Sequence, residues 1–150
     1  MIKIRFPDQS TRSYAHGVTP FEIAKSISEG LARNVLSVKF NGQTVEASTP
    51  LKNDGDIHLF TWSDKEGKTA FWHSSAHVLA QALLALYPSC KLTIGPAIEN
   101  GFYYDADFGE HSISDNVLVI IEKKMLEFAR QKFHFKMRSI SKSEALAHYQ

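Results

Sequence analysis

Apolar and polar positions alternate from the first residue onward. Ile2, Ile4 and Phe6 are interleaved with Lys3 and Arg5, the period-two pattern of a half-buried strand. Pro7-Asp8-Gln9-Ser10 has turn composition, and Thr11 to Tyr14 is predicted to return as the partner strand. The period then lengthens. Thr19 is a predicted N-cap, Pro20 fits the first helical position, and Glu22 completes a capping box. Phe21, Ile23, Ala24 and Ile27 give that helix an apolar stripe, with Gly30 as its expected stop. Val35, Leu36, Val38 and Phe40 run into Asn41-Gly42, a strong hairpin signal, and Gln43 to Ala47 is the expected return strand. Asn53-Asp54-Gly55-Asp56 turns the chain again, into Ile57 to Trp62.

The resulting order, β-β-α-β-β-β over residues 1–62, is that of a ubiquitin-like β-grasp. Residues 63–68 are polar, lack any periodic apolar position, and read as a linker. A different pattern follows. Thr69 is expected to cap a helix from Ala70 to about Tyr87, closed by Pro88. Its apolar residues surround almost the whole circumference, which predicts burial inside a larger domain. Lys91 to Ile94 reads as a short strand broken by Gly95-Pro96, and Asn100-Gly101 turns into a strand over Phe102 to Phe108. A second helix is predicted after Ser114 or Asp115, with Val117, Leu118, Ile121, Met125, Phe128 and Ala129 as its core face. Phe133, Phe135 and Met137 alternate as in one more strand. Ser141-Lys142-Ser143-Glu144 is a capping box for a final helix, and the sequence stops inside it at Gln150, which predicts a longer natural protein. The fold class expected is α+β: a β-grasp domain followed by an incomplete second α+β domain over 69–150.

Composition changes this picture little. The chain has 150 residues, 43% hydrophobic and 22% charged, with a formal net charge of +1. That balance is globular and argues against nucleic-acid binding by bulk charge, while leaving a local basic face open. The single cysteine, Cys90, excludes an intramolecular disulfide framework and a multi-cysteine zinc site within these residues. The N-terminus is too short and too charged for a signal peptide, and no apolar run is long enough to span a bilayer. A cytoplasmic protein with no membrane partner is expected.

One stretch stands out chemically. His73-Ser74-Ser75-Ala76-His77 puts two imidazoles on one helix face, about 6 Å apart in rise. A neutral imidazole offers one donor and one acceptor, so the pair suits positioning of a water or a hydroxyl. The bland reading is two histidines at a core edge. A zinc protease needs Glu directly after the first histidine, where this chain has Ser74. A third zinc ligand would have to come from His111, His134 or Cys90, all at unhelpful spacings. Gly95-Pro96 and Asn100-Gly101-Phe102-Tyr103-Tyr104-Asp105 read as loop and strand, with aromatics able to stack on a base. The basic residues from Lys123 to Lys142 are interspersed with Glu122, Glu127 and Glu144, a mixed solvated face.

Taken in order, these pieces resemble the N-terminal region of the threonyl-tRNA synthetases over essentially the whole chain. Residues 1–62 resemble their TGS domain. His73-Ser74-Ser75-Ala76-His77-Val78-Leu79-Ala80, then Ile94-Gly95-Pro96 and Asn100 to Asp105, resemble the opening of their editing domain, which alanyl-tRNA synthetases carry without a TGS module. The resemblance implies attachment of threonine to tRNA(Thr) with ATP by the whole enzyme, and hydrolysis of mischarged Ser-tRNA(Thr) by the editing domain. It assigns His73 and His77 to orienting the terminal ribose hydroxyl and the attacking water, and Tyr104 to the pocket near the terminal adenosine. ATP, Mg2+ and Zn2+ would belong to an absent catalytic core, with no cofactor or metal in this chain. The partners implied are the tRNA(Thr) acceptor end and a second copy joined through absent domains.

Two departures matter. Many relatives carry Cys where this chain has Ser75, and the second half-motif, Cys-x-x-x-His, is expected past residue 150. The fragment alone is therefore expected to bind tRNA weakly without editing. The competing readings are a stand-alone TGS-containing module that binds RNA or protein, and, more distantly, a metal-dependent hydrolase.

Overall fold

A computed structural model describes residues 1–133 and 139–149. Its first unit is a five-stranded sheet with spatial order β2-β1-β5-β3-β4. Strands β1 (Ile2–Arg5) and β2 (Thr11–Tyr14) form an antiparallel hairpin, as do β3 (Ser37–Phe40) and β4 (Gln43–Val45). Strand β5 (Gly55–Phe60) joins the two hairpins, parallel to β1 and antiparallel to β3. Helix α1 (Pro20–Ile27) covers one face. This is the expected β-grasp.

Period-two alternation decides which face is covered. Ile2, Ile4, Val38 and Ile57 point to α1 and are buried with Ile23 and Leu51. The intervening residues Lys3, Arg5, Lys39, His58 and Phe60 line the other face. The capping box forms: Glu22 N–H donates to the Thr19 hydroxyl at 3.2 Å, and Thr19 N–H donates to the Glu22 carboxylate at 2.8 Å. Asn41 and Gly42 both take positive φ, 49° and 80°, the geometry that a two-residue hairpin turn requires.

Two expectations near helix ends are corrected. Gly30 does not stop α1. Ser28 does, in extended conformation, and its hydroxyl caps a short helix α2 (Glu29–Asn34) by accepting from Leu31 N–H at 2.9 Å. Residues 63–68, expected as a linker, are helical from Lys65. Asp64 caps helix α3 (Lys65–Leu86), so Thr69 lies inside it rather than at its start. The Asp64 carboxylate accepts from Thr61 N–H at 2.7 Å and from the Thr61 hydroxyl at 3.1 Å, closing a turn straight from β5 into the helix.

The second unit is built on α3. Strands β6 (Lys91–Leu92) and β9 (Ala106–Asp107) pair, and between them β7 (Ala97–Ile98) and β8 (Gly101–Phe102) form a smaller hairpin laid on α3. The strand expected over 102–108 is thus split in two. Helix α4 (Asp115–Arg130) packs along α3 through Ile121, with Val117, Met125 and Phe128 half-buried. Leu118, assigned to the core from sequence, is 54% exposed, and Ala129 is exposed as well. Helix α3 buries Ala76, Ala80, Ala82 and Leu83 but leaves Phe71 and Leu84 exposed, so its burial is one-sided. Helix α5 (Lys142–Tyr149) follows its predicted capping box, with Glu144 N–H donating to the Ser141 hydroxyl at 3.2 Å. The strand expected across Phe133, Phe135 and Met137 falls mostly outside the described residues. Among the described residues, no helix is long and apolar enough to cross a membrane.

Two measurements check this account. Ile57 is completely buried, so Ile57→Ala should lower the unfolding free energy by about 2–5 kcal/mol in denaturant titrations. The Thr19 backbone N–H, then its hydroxyl, hold the Glu22 carboxyl below its ordinary range. Its contribution is therefore complete above the unfolded value of about 4.3 and is lost as pH falls below that. The thermal midpoint should drop between neutral pH and pH ~3 by less in Glu22→Gln than in the unaltered chain.

Candidate functional site

Helix α3 carries His73 and His77 one turn apart on its solvent side, in a stripe with Ser74, Gln81 and Leu84. Their Nε2 atoms lie 3.1 Å apart, with the two rings nearly perpendicular at 86°. That distance is a nitrogen–nitrogen hydrogen bond. One Nε2 must carry the proton and the other must present a lone pair, so at least one ring is neutral with its proton on Nδ1. Each Nε2 is thus engaged by the other ring, and the donor and acceptor roles within the pair can exchange. The Ser75 hydroxyl donates to the Phe71 carbonyl at 2.9 Å, back-bonding along the helix.

Trp72 anchors this stretch. Its ring centroid is 5.4 Å from that of Trp62 at the end of β5, 5.3 Å from Phe71, and 6.2 Å from Phe102 on β8. Gly67 fixes the other end. A Cβ at that position would collide with the Thr61 carbonyl, so only glycine lets the first turn of α3 lie on the β5 backbone.

Tyr104 is half-buried and its ring fills the space where a Cβ on Gly95 would lie; among the described residues no ring contact joins it to His73 or His77. The strand frame around it is tight: Thr93 N–H donates to the Asp105 carbonyl at 3.1 Å and Asp105 N–H to the Ile94 carbonyl at 2.9 Å. The suggested third metal ligands do not join the pair either. His111 packs against Tyr87 at 5.4 Å. Cys90 is buried, which pushes its thiol pKa up. His134 lies outside the described residues. Among the described residues, no three His, Cys, Asp or Glu side chains converge to hold a metal ion.

Two clefts flank the first turns of α3, with Lys65 and Thr69 on the ridge between them. The larger, about 710 Å³, opens toward the β7–β8 hairpin and takes in Lys68, Ile98 and Asn100 but neither histidine. The smaller, about 480 Å³, lies between α3 and the uncovered sheet face, with Lys39 and Phe60 on one wall and Lys65, Glu66, Thr69 and His73 on the other. Sequence patterning singled out none of Lys39, Phe60 and Lys65. Alternation does place Lys39 and Phe60 on the face away from α1, but only the register Lys39↔His58 and Ser37↔Phe60 makes them neighbours.

Residues 2–61 match the TGS domain family. Almost the whole chain matches proteins named threonine–tRNA ligase: 60% identity over 149 residues in Flavobacterium johnsoniae, and 55% over 149 residues in both Flavobacterium psychrophilum and Cytophaga hutchinsonii. Over nearly its whole length the chain is therefore similar to part of these threonine–tRNA ligases. Each match covers 99% of this chain and 23% of the relative, so the chain spans about a quarter of the length of these curated ligases. The TGS domain ends within β5 and its following turn, one helical cap before α3 begins.

The contact between Gly95 and Tyr104 can be tested directly. Gly95→Ala should displace the Tyr104 ring, read as altered nuclear Overhauser contacts between that ring and residues 94–95. Unchanged contacts would mean that the ring does not rest there.

Proposed function

We propose that this chain is the N-terminal part of a threonine–tRNA ligase, contributing tRNA binding and one half of a hydrolytic editing site for Ser-tRNA(Thr). On this reading residues 69–150 are the first part of the editing domain, His73 and His77 are its reacting pair, and Tyr104 lines the pocket for the terminal adenosine. The observation that carries it is the 60% identity over 99% of the chain to a protein named for this ligase activity.

The chemistry that the site would perform follows from the ester. Hydrolysis of a seryl ester on the terminal ribose needs a water held against the carbonyl carbon, a group to take its proton, and a proton for the departing ribose oxygen. Once substrate replaces the Nε2–Nε2 hydrogen bond, one ring's lone-pair nitrogen can accept a proton from the water and return it to the departing ribose oxygen, while an N–H of the other ring holds the neighbouring ribose hydroxyl. Serine keeps the hydroxyl of threonine and lacks one methyl. That methyl gives a synthetic site only about 1–3 kcal/mol of discrimination, which is the physical case for a second, hydrolytic site that excludes the larger amino acid. On this reading ATP, Mg2+ and Zn2+ serve aminoacylation. We assign those groups, and the contacts of a homodimer, to the part of the ligases that the match does not cover, and place the whole enzyme in the cytoplasm.

The test is deacylation of Ser-tRNA(Thr) by the full-length protein. His73→Ala and His77→Ala should each lower its rate by about 10²–10⁴ while aminoacylation with threonine persists. The isolated 150-residue chain should show no deacylation. Activity in the isolated chain that His77→Ala abolishes would overturn the half-site reading.

A further inference from the structure

The two imidazoles on α3 are spaced for a second kind of partner besides each other. Their Nε2 atoms lie 3.1 Å apart. Two nitrogens at that separation, each about 2.0–2.1 Å from a shared metal ion, subtend about 95–102° at the ion. That angle lies between the right angle of octahedral or square-planar ligands and the tetrahedral angle. His73 and His77 thus already span one edge of a coordination polyhedron. Both side chains are exposed, so water can fill the positions that the protein does not.

The donors select the ion. Imidazole suits Zn2+, Cu2+ and Ni2+, whereas Mg2+ and Ca2+ take oxygen ligands. Spacing argued against a zinc protease partly for want of a third ligand, and among the described residues no third His, Cys, Asp or Glu joins the pair. A reversible site needs none. Two ligands on one helix hold an ion better than one, because the second bond closes intramolecularly. Ligation requires a lone pair on both Nε2 atoms. In a neutral pair, the proton between them moves to Nδ1 of its own ring; in a singly protonated pair it leaves to water. A turn of either ring about χ2, a broad torsion, then aims both lone pairs at the ion.

We infer that His73 and His77 form a reversible two-ligand site for a divalent transition-metal ion of the Zn2+, Cu2+ and Ni2+ class, and that the bound ion silences the pair. It takes up both Nε2 lone pairs, so neither ring can accept a proton there or hold a hydroxyl through that atom. The ion is an inhibitor of the pair rather than its cofactor. Silencing of deacylation rests on the editing reading proposed above; binding of the ion does not.

The probe is Ni2+, which leaves thiols unoxidised. Calorimetric titration of the 150-residue chain should show a site that requires both histidines. His73→Ala and His77→Ala should each weaken it by more than the roughly 10–100-fold that loss of an outer-shell partner costs. The imidazole nitrogen NMR signals of these two residues should respond first. His111→Ala, whose ring packs on Tyr87 instead, should bind Ni2+ as the unaltered chain does, and Mg2+ should not occupy the site. Circular dichroism melts confirm that every variant is folded. In the full-length protein, Ni2+ should slow deacylation of Ser-tRNA(Thr), and dialysis should restore it. The proposal is overturned if the site survives either histidine substitution, if His111→Ala weakens it equally, if Ni2+ finds no site, or if Ni2+ speeds deacylation. Binding that needs both histidines while deacylation runs undiminished upholds the metal site and overturns the editing assignment of the pair.

Discussion

The contact between the Thr61 carbonyl and Gly67 is the constraint on which the arrangement of the two units depends. It lets α3 start directly on the end of β5, with Asp64 closing the turn by accepting from Thr61. The helix then runs as one rod of 22 residues, and His73 sits about 13 Å along the axis from the cap. Any larger residue at position 67 would lift the helix off the strand and open the cleft. The ring contacts of Trp62 with Phe71 and Trp72 brace the same joint from the side, at centroid separations of 5.0 and 5.4 Å. Sheet face and histidine pair are thus joined through the first turn of α3.

The histidine pair is tied together by a hydrogen bond that needs a proton on one Nε2 and a lone pair on the other. Both rings nevertheless face solvent, where water competes for every hydrogen bond and the field of a preorganised site is weak. Helix α4 leaves Leu118, Val119, Ile120 and Leu126 about half exposed or more, and α3 leaves Leu84 open. Much apolar surface in this unit thus remains exposed.

Legibility from sequence followed the locality of the signal. The β-grasp strands and α1 were readable because alternation, the Thr19-Glu22 capping box and Asn41-Gly42 are all encoded within a few neighbouring residues. The helix break at Ser28 was missed because serine serves equally as an ordinary helix residue and as a cap, and Gly30 drew the stop signal. The supposed linker failed for a related reason. Polar residues 63–68 have no apolar period because the first turn of α3 packs through Gly67, which has no side chain to show. At the site, the spacing of His73 and His77 predicted a shared face correctly. Patterning could not supply the 3.1 Å bond between them, nor the seating of the Tyr104 ring on Gly95, nine residues earlier in the chain. The cleft was illegible because its walls come from β3, β5 and α3, far apart in the chain.

The turn that closes β3 and β4 has a chemical consequence. Asn-Gly sequences age by attack of the glycine nitrogen on the asparagine side-chain amide, which ends as aspartate or isoaspartate. Here the Asn41 side chain is tethered: its oxygen accepts from Asp56 N–H at 2.8 Å and its amide donates to the Asp54 carbonyl at 3.4 Å. While the hairpin is closed, the amide carbon is held away from the Gly42 nitrogen, so the lesion accumulates only during openings of this edge. Once formed, it forfeits the donor to Asp54 and sets a new carboxylate beside Asp54 and Asp56. Damage would then promote further opening, making the outer hairpin a slow molecular clock for the whole β-grasp unit.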